Sequence, residues 1–337
     1  MPAKILLPAK PLSLSETAER APARQSRADG APAAQLAGSP MPIAPFRAAC
    51  FALVCVSPLL IGWRLVQRIS ALALGNDTYT HIPLIPLVSA CLIYTNRKVI
   101  FSRSSEVWKL GGALLAAGVL AIAVAQSNVV YLQDANQLSL AMLGVVLVWT
   151  GAFGLFFGRA AFSTAIFPLL FLLFMVPIPE PFLSRIIHAL QVGSAQATAG
   201  LFSLFGIPYL QQGLVFSLPG VAIRVAEECS GIRSTLALLI MTVLASHMFL
   251  KATWKRVLVC LLAVPLSVAK NGLRIATLSA LAIYVDPSFL HGRLHQYGGM
   301  FFFAAAFVPL AVIFVLLGKG ETRKPASRQL ANPSGLT

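Results

Sequence analysis

Apolar runs separated by short polar breaks dominate the chain from residue 46 to residue 317. Roughly 18 or more apolar residues in a row mark a candidate bilayer span. The pattern predicts eight spans, over 46–66, 80–95, 110–126, 138–157, 160–177, 232–250, 257–284 and 297–317. Residues 1–44 are rich in Ala, Pro, Ser and Arg and hold no apolar run, so they read as a disordered tail and not as a cleavable signal. Residues 318–337 form a second, basic tail. The expected fold class is an all-α polytopic membrane protein whose transmembrane domain covers 45–317.

Between the fifth and sixth spans the pattern changes. Ser184, His188 and Gln191 recur at helical spacing opposite Ile186, Ile187 and Leu190. That periodicity predicts an amphipathic helix over 182–205, lying at the outer interface; a ninth span is the alternative. Residues 214–218 and 221–225 then alternate on either side of Pro219-Gly220, the signature of a short β-hairpin.

Composition supports lipid as the solvent. Of 337 residues, 57% are hydrophobic and only 11% charged, against roughly 25% charged in soluble domains. The formal charge of +15 does not point to nucleic acid, because the basic residues sit mostly in short loops between apolar spans. With the N-terminus inside, eighteen of the 26 Lys and Arg fall on the inner side or in the tails. Both termini are therefore expected in the cytoplasm, in the inner (plasma) membrane. Cys50, Cys55, Cys91 and Cys260 lie in apolar stretches without metal-ligand spacing, so no metal and no cofactor is expected.

Cys229 is different. It lies in Ala226-Glu227-Glu228-Cys229-Ser230-Gly231-Ile232-Arg233-Ser234, just before the sixth span. A helix N-terminus and a nearby guanidinium would favour its thiolate, while Glu227 and Glu228 oppose it if they point inward. A capping serine beside an incidental cysteine is the structural alternative. The seventh span is interrupted by Lys270-Asn271-Gly272-Leu273-Arg274. Running outward from Val257 at 1.5 Å per residue, Arg274 lies roughly 26 Å up, near the outer surface of a ~30 Å core. Charges within a span usually face a partner or a wet cavity, although an interfacial arginine can also snorkel. The loop 286–296 brings His291 and His295, either of which could exchange protons near neutrality. By topology Cys229, Arg274 and His295 reach the same face, and a Cys–His pair with a cation suits acyl transfer.

The segments Glu227–Ser234 and Asn271-Gly272-Leu273-Arg274-Ile275, with His295 followed by Gly299 and Phe303, resemble the exosortase/archaeosortase family. Phe167–Pro179 is similar to its Pro-ended fifth span, and Tyr79-Thr80-His81 to its early Tyr-Ser-His-Gly element. Here that element continues Ile82-Pro83 where glycine is usual. The resemblance implies a membrane-embedded cysteine peptidase/transpeptidase with its active site on the extracytoplasmic side. Its expected partners are membrane lipid and exported proteins ending in a short motif such as Pro-Glu-Pro, a helix and a basic cluster. By the same resemblance Cys229 is the nucleophile, Arg274 stabilises thiolate or oxyanion, and His295 is the acid/base; His81, Asn271 and Arg233 are candidate substrate-binding residues. The internal Pro179-Glu180-Pro181 lacks a terminal helix and basic tail directly after it and reads as a turn. Two other classes remain open on the residues alone: a transporter built around the charged seventh helix, and a non-catalytic factor for envelope polysaccharide export.

Overall fold

The computed structural model describes residues 45–102, 108–127, 134–226, 230–290 and 293–319, with the side chains of 293–300 outside that description. Eleven α-helices and a three-stranded sheet make up the described residues. Five helices are long and apolar enough to cross a membrane, or seven spans if each of two sharply bent pairs counts as one. This is a polytopic α-helical membrane protein, and among the described residues the helices give five to seven candidate spans where hydropathy led to an expectation of eight.

The differences have local causes. The first expected span, 46–66, is α1 (Pro45–Ile61) followed by α2 (Trp63–Gly75), bent by 78°. The break falls at Gly62, where a Cβ would lie 2.6 Å from the Pro58 carbonyl oxygen. The second, 80–95, is α3 (Leu84–Thr95), whose 12 residues reach only about 18 Å; a one-turn helix α4 (Arg97–Ile100) follows. Helix α5 (Lys109–Gln126) matches the third. The fourth continues into the expected fifth as α6 (Asp134–Thr164), kinked at Gly158 with φ 80°. What remains of the fifth is α7 (Ile166–Phe171) and a 3-10 turn (Leu172–Met175), ended by Pro177 and Pro179. Hydropathy registers apolar content and is blind to direction, so glycine and proline breaks escape it.

Helix α8 (Glu180–Phe205) forms where the amphipathic helix was expected, turned 87° from Ile166–Met175. Its capping residue Gly206 takes φ 69° and ends the helix. Strands β1 (Leu210–Gln212), β2 (Val215–Leu218) and β3 (Val221–Arg224) form an antiparallel sheet in that order. The expected hairpin is β2–β3, closed by Leu218 opposite Val221 with Gly220 at φ 77°; β1 adds a strand that the all-exposed Leu210-Gln211-Gln212 does not announce. Phe216, Leu218 and Val225 are buried with Phe202 of α8.

The chain ends in α9 (Ile232–Phe249), α10 (Thr253–Tyr284) and α11 (Arg293–Gly318). α10 packs against both α9 and α11, and short connections make neighbours antiparallel. The start of α9, the far half of α10 and the start of α11 thus share one end. Ile275 and Ala276 of α10 join Phe202, Phe216 and Val225 in one buried cluster, which seats the sheet and α8 at that same end.

Candidate active site

Helices α8 and α10 approach closely through Gly272, where a Cβ would lie 2.6 Å from the Ala197 Cβ. Beside that contact sits a row of buried polar side chains. Asn271, 2% exposed, donates from Nδ2 to Ser194 Oγ at 2.9 Å. Thr198, fully buried, donates from Oγ1 to the Ser194 carbonyl at 2.7 Å and lies 3.3 Å from the Gly272 carbonyl. Unpaired, such groups would cost roughly 1–3 kcal/mol each in an apolar surround; paired, they lock α8 to α10 in one register.

The same row reaches the start of α9. Gly231 takes φ 76°, and a Cβ there would be 3.0 Å from Asn271 Cγ and 3.1 Å from Oδ1. A residue with a side chain would be strained by its backbone and crowded by the amide of Asn271. The Gly231 carbonyl accepts from Thr235 N at 2.8 Å, Ser234 Oγ at 3.0 Å and Thr235 Oγ1 at 2.9 Å. Lys270, buried, donates from Nζ to Ser234 Oγ. Thr235 is also tied to Ser267 of α10, Oγ to Oγ 2.7 Å. The first turn of α9 is therefore held to α10 by Lys270, Asn271 and Ser267, three residues on one face.

On the other side of the polar segment 226–231, Gln191 of α8 donates from Nε2 to the Val225 carbonyl at 3.0 Å, both buried. Gln191 and Ser194 are three apart on one helical face. One stripe of α8 thus grips the chain four residues before position 229 directly, and two residues after it through Asn271. The sequence suggested that Gln191 faces outward with Ser184 and His188. Those two are exposed, but Gln191 is buried and inward, and Leu190 is buried beside it.

Cys229 itself, with Glu227 and Glu228, lies outside the described residues, as does His291. His295 falls in the first turn of α11, its side chain outside the description. Arg274 is half-buried on α10, one turn beyond Lys270 and Asn271. Arg233 is exposed in the first turn of α9. In the loop after α10, the hydroxyl and amide of Ser288 hydrogen-bond Asp286 and hold its carboxyl below the usual range. His81 is half-buried, with Nε2 3.1 Å from the Phe174 carbonyl. Its neighbour Tyr79 is buried in a cluster that Leu236 of α9 packs against, so the early element braces α9. Sequence reasoning singled out Asn271 and Arg274 but missed Gln191, Ser194, Thr198 and Ser267. The available signal was the i, i+3, i+7 spacing of Gln191, Ser194 and Thr198.

The hold of α8 on Val225 and of Asn271 on Gly231 is the geometry that gives the comparisons with known proteins their meaning. The model of the transmembrane exosortase family (Exosortase_EpsH) matches residues 72–312. The chain belongs to that family. No curated protein and no solved structure matches it. The exosortase match runs from α2 to α11 and takes in every element just described. Membership implies cysteine transpeptidase-type activity in general terms.

Proposed function

We propose that this exosortase is a membrane-embedded cysteine transpeptidase that cleaves the C-terminal sorting signal of exported proteins and passes them to an envelope acceptor. In this reading the Cys229 thiolate adds to the scissile carbonyl, and the oxyanion is met by the Arg274 guanidinium. Protonated His295 gives its proton to the leaving amine as the C–N bond breaks, leaving a thioester. An acceptor amine, or water, attacks the thioester carbonyl and gives its proton to His295, and the thiolate leaves.

The observation that carries the reading is the contact of Asn271 with Gly231. It brings the backbone two residues past Cys229 onto the face of α10 that bears Arg274 one turn farther on. Support for the thiolate comes from α9, whose N-terminal dipole begins three residues after the cysteine. The charge distribution supports cytoplasmic termini and an extracytoplasmic site in the inner membrane. A charged span could also serve transport, but the bonds from Lys270 and Ser267 across to α9 meet its first turn and not its middle.

The test is conversion of a tagged exported protein carrying a C-terminal motif, helix and basic cluster. Cys229→Ala should abolish conversion at unchanged protein abundance. Cys260→Ala should leave it intact, since that thiol lies within α10 with Sγ 4.0 Å from Ser246 Oγ. Conversion by Cys229→Ala at the wild-type rate would end the proposal.

A further inference from the structure

Far from the polar segment, the other ends of α9 and α11 border an open groove of about 490 Å³, within the range of roughly 300–1,000 Å³ typical of small-ligand sites. All ten side chains lining it are apolar, among them Met248 and Phe249 of α9 and Ala311, Phe314 and Val315 of α11. Beneath it Leu310 packs with Leu238, Leu250 and Val259 in a buried cluster, so the groove has a packed floor. Its mouth is basic. Lys255 Nζ donates to the Leu317 carbonyl at 2.6 Å, and Arg256 Nε to the Leu250 carbonyl at 2.8 Å. These two cations answer the negative C-terminal ends of α11 and α9. Exposed Lys251 and Lys319 add two more at the same end. No Asp or Glu occurs anywhere in α9, α10 or α11, so no acidic side chain on these three helices offsets the field.

We infer that this groove holds one acyl chain of an anionic phospholipid, with the phosphate at Lys251 and Lys319. An apolar groove between spans will be filled by something in a membrane, and the charge at its mouth selects which apolar occupant stays. Cytoplasmic ends of membrane helices are themselves basic, so a partner helix, including another copy of this chain, would meet repulsion there. A phosphate meets attraction, as in basic pockets between membrane helices that hold lipid head groups. The walls also lack a close-packing stripe of small residues such as membrane helix pairs use. This inference stands whether or not Cys229 is a nucleophile.

The full-length protein would be reconstituted in vesicles holding equal fractions of phosphatidylglycerol and phosphatidylcholine, extracted gently, and its retained lipid counted by native mass spectrometry. One phosphatidylglycerol per chain is expected. Ala311→Trp, which fills the groove, should remove it. The exposed pair Lys251→Glu and Lys319→Glu should lower retention about tenfold or more and keeps the test alive if the tryptophan variant fails to fold. The pair Arg97→Glu and Lys98→Glu, on α4, should leave retention as it was. Equal retention of both lipids, retention unchanged by charge reversal, or a retained polypeptide in place of lipid would overturn the inference.

Discussion

The α5–α6 pair and the α8–α10 pair both bring backbones into contact through glycine, yet they spend the closeness differently. Along α5 and α6, Gly111 and Gly118 face Gly151 and Gly144, with hypothetical Cβ positions 2.4–2.9 Å from partner atoms. The hydroxyls of α6 bond within their own helix: Ser139 Oγ donates to the Ala135 carbonyl, Thr150 Oγ1 to that of Val146, and the side chains that do reach out, Asp134, Asn136 and Trp149, meet α2, α8 and α1 instead of α5. Between α8 and α10 there is one such glycine, Gly272, and the polar groups bond across: Asn271 to Ser194, Thr198 to the Gly272 carbonyl. In lipid, close packing holds helices together, whereas buried polar groups need partners and usually mark function. The first pair is scaffold. The second is scaffold bent to present a segment.

The largest effect should come from breaking the scaffold pair. At Gly151 a Cβ alone would sit 2.4 Å from the Leu115 amide nitrogen and 2.7 Å from the Gly111 carbonyl oxygen. Backbone cannot yield as a side-chain tip does, so Gly151→Leu should cost about 3 kcal/mol or more. The expected outcome is loss of the folded peak in size-exclusion chromatography; a stable, monodisperse variant would show that the two helices can part freely.

Next comes the polar pair. Asn271→Ala removes the bond to Ser194 and should cost about 2 kcal/mol in thermal or denaturant unfolding. Ser194→Ala should cost little more once Asn271 is gone, giving a coupling energy of about 1 kcal/mol in a double-mutant cycle. Thr150→Val in α6, whose hydroxyl serves only its own helix, should show no coupling to any α5 residue. If Asn271 and Ser194 proved additive, the contrast between the two pairs would dissolve. Substrate conversion by Asn271→Ala should fall further than its abundance, because Gly231 would lose its backstop.

The sequence made the scaffold far easier to read than the site. The run 110–126 became α5 almost to the residue, and 297–317 became α11 with one extra turn at its start, since a bilayer-length apolar stretch leaves the backbone no alternative to helix. The Pro219-Gly220 turn gave β2 and β3 within one residue of their ends. Direction was hidden: nothing in the apolar content around Gly62 or Pro177–Pro179 reveals bends of 78° and 87°. The charged stretch in α10 was visible because Lys270 and Arg274 are costly in a span, although the helix runs through it without the interruption expected there. Ser194 and Thr198 were not visible, because a small hydroxyl on a helix is as cheap facing itself as facing a neighbour, and only the neighbour's identity separates the cases.

A smaller effect is expected at the other end of the α8 grip. Gln191→Leu leaves the buried Val225 carbonyl without its Nε2 donor, at about 1 kcal/mol, since the carbonyl keeps access to a new partner as the loop relaxes. Unfolding should shift slightly while the turnover of substrate falls and its KM holds, the pattern of a positioning residue. A rise in KM alone would make Gln191 a substrate contact instead.

The smallest effect has the opposite sign and isolates what glycine contributes when it touches nothing. Gly200 lies inside α8 six residues beyond Ser194, and a Cβ there meets no atom within 4 Å. It shares a helix with the polar grip but takes no part in it. Alanine loses less backbone freedom on forming helix, so Gly200→Ala should stabilise the protein by up to about 1 kcal/mol and leave conversion at the wild-type level. If stiffening α8 at this point lowered conversion instead, the helix would have to flex during turnover, and the grip on the 226–231 segment would be a moving part, not a fixed one.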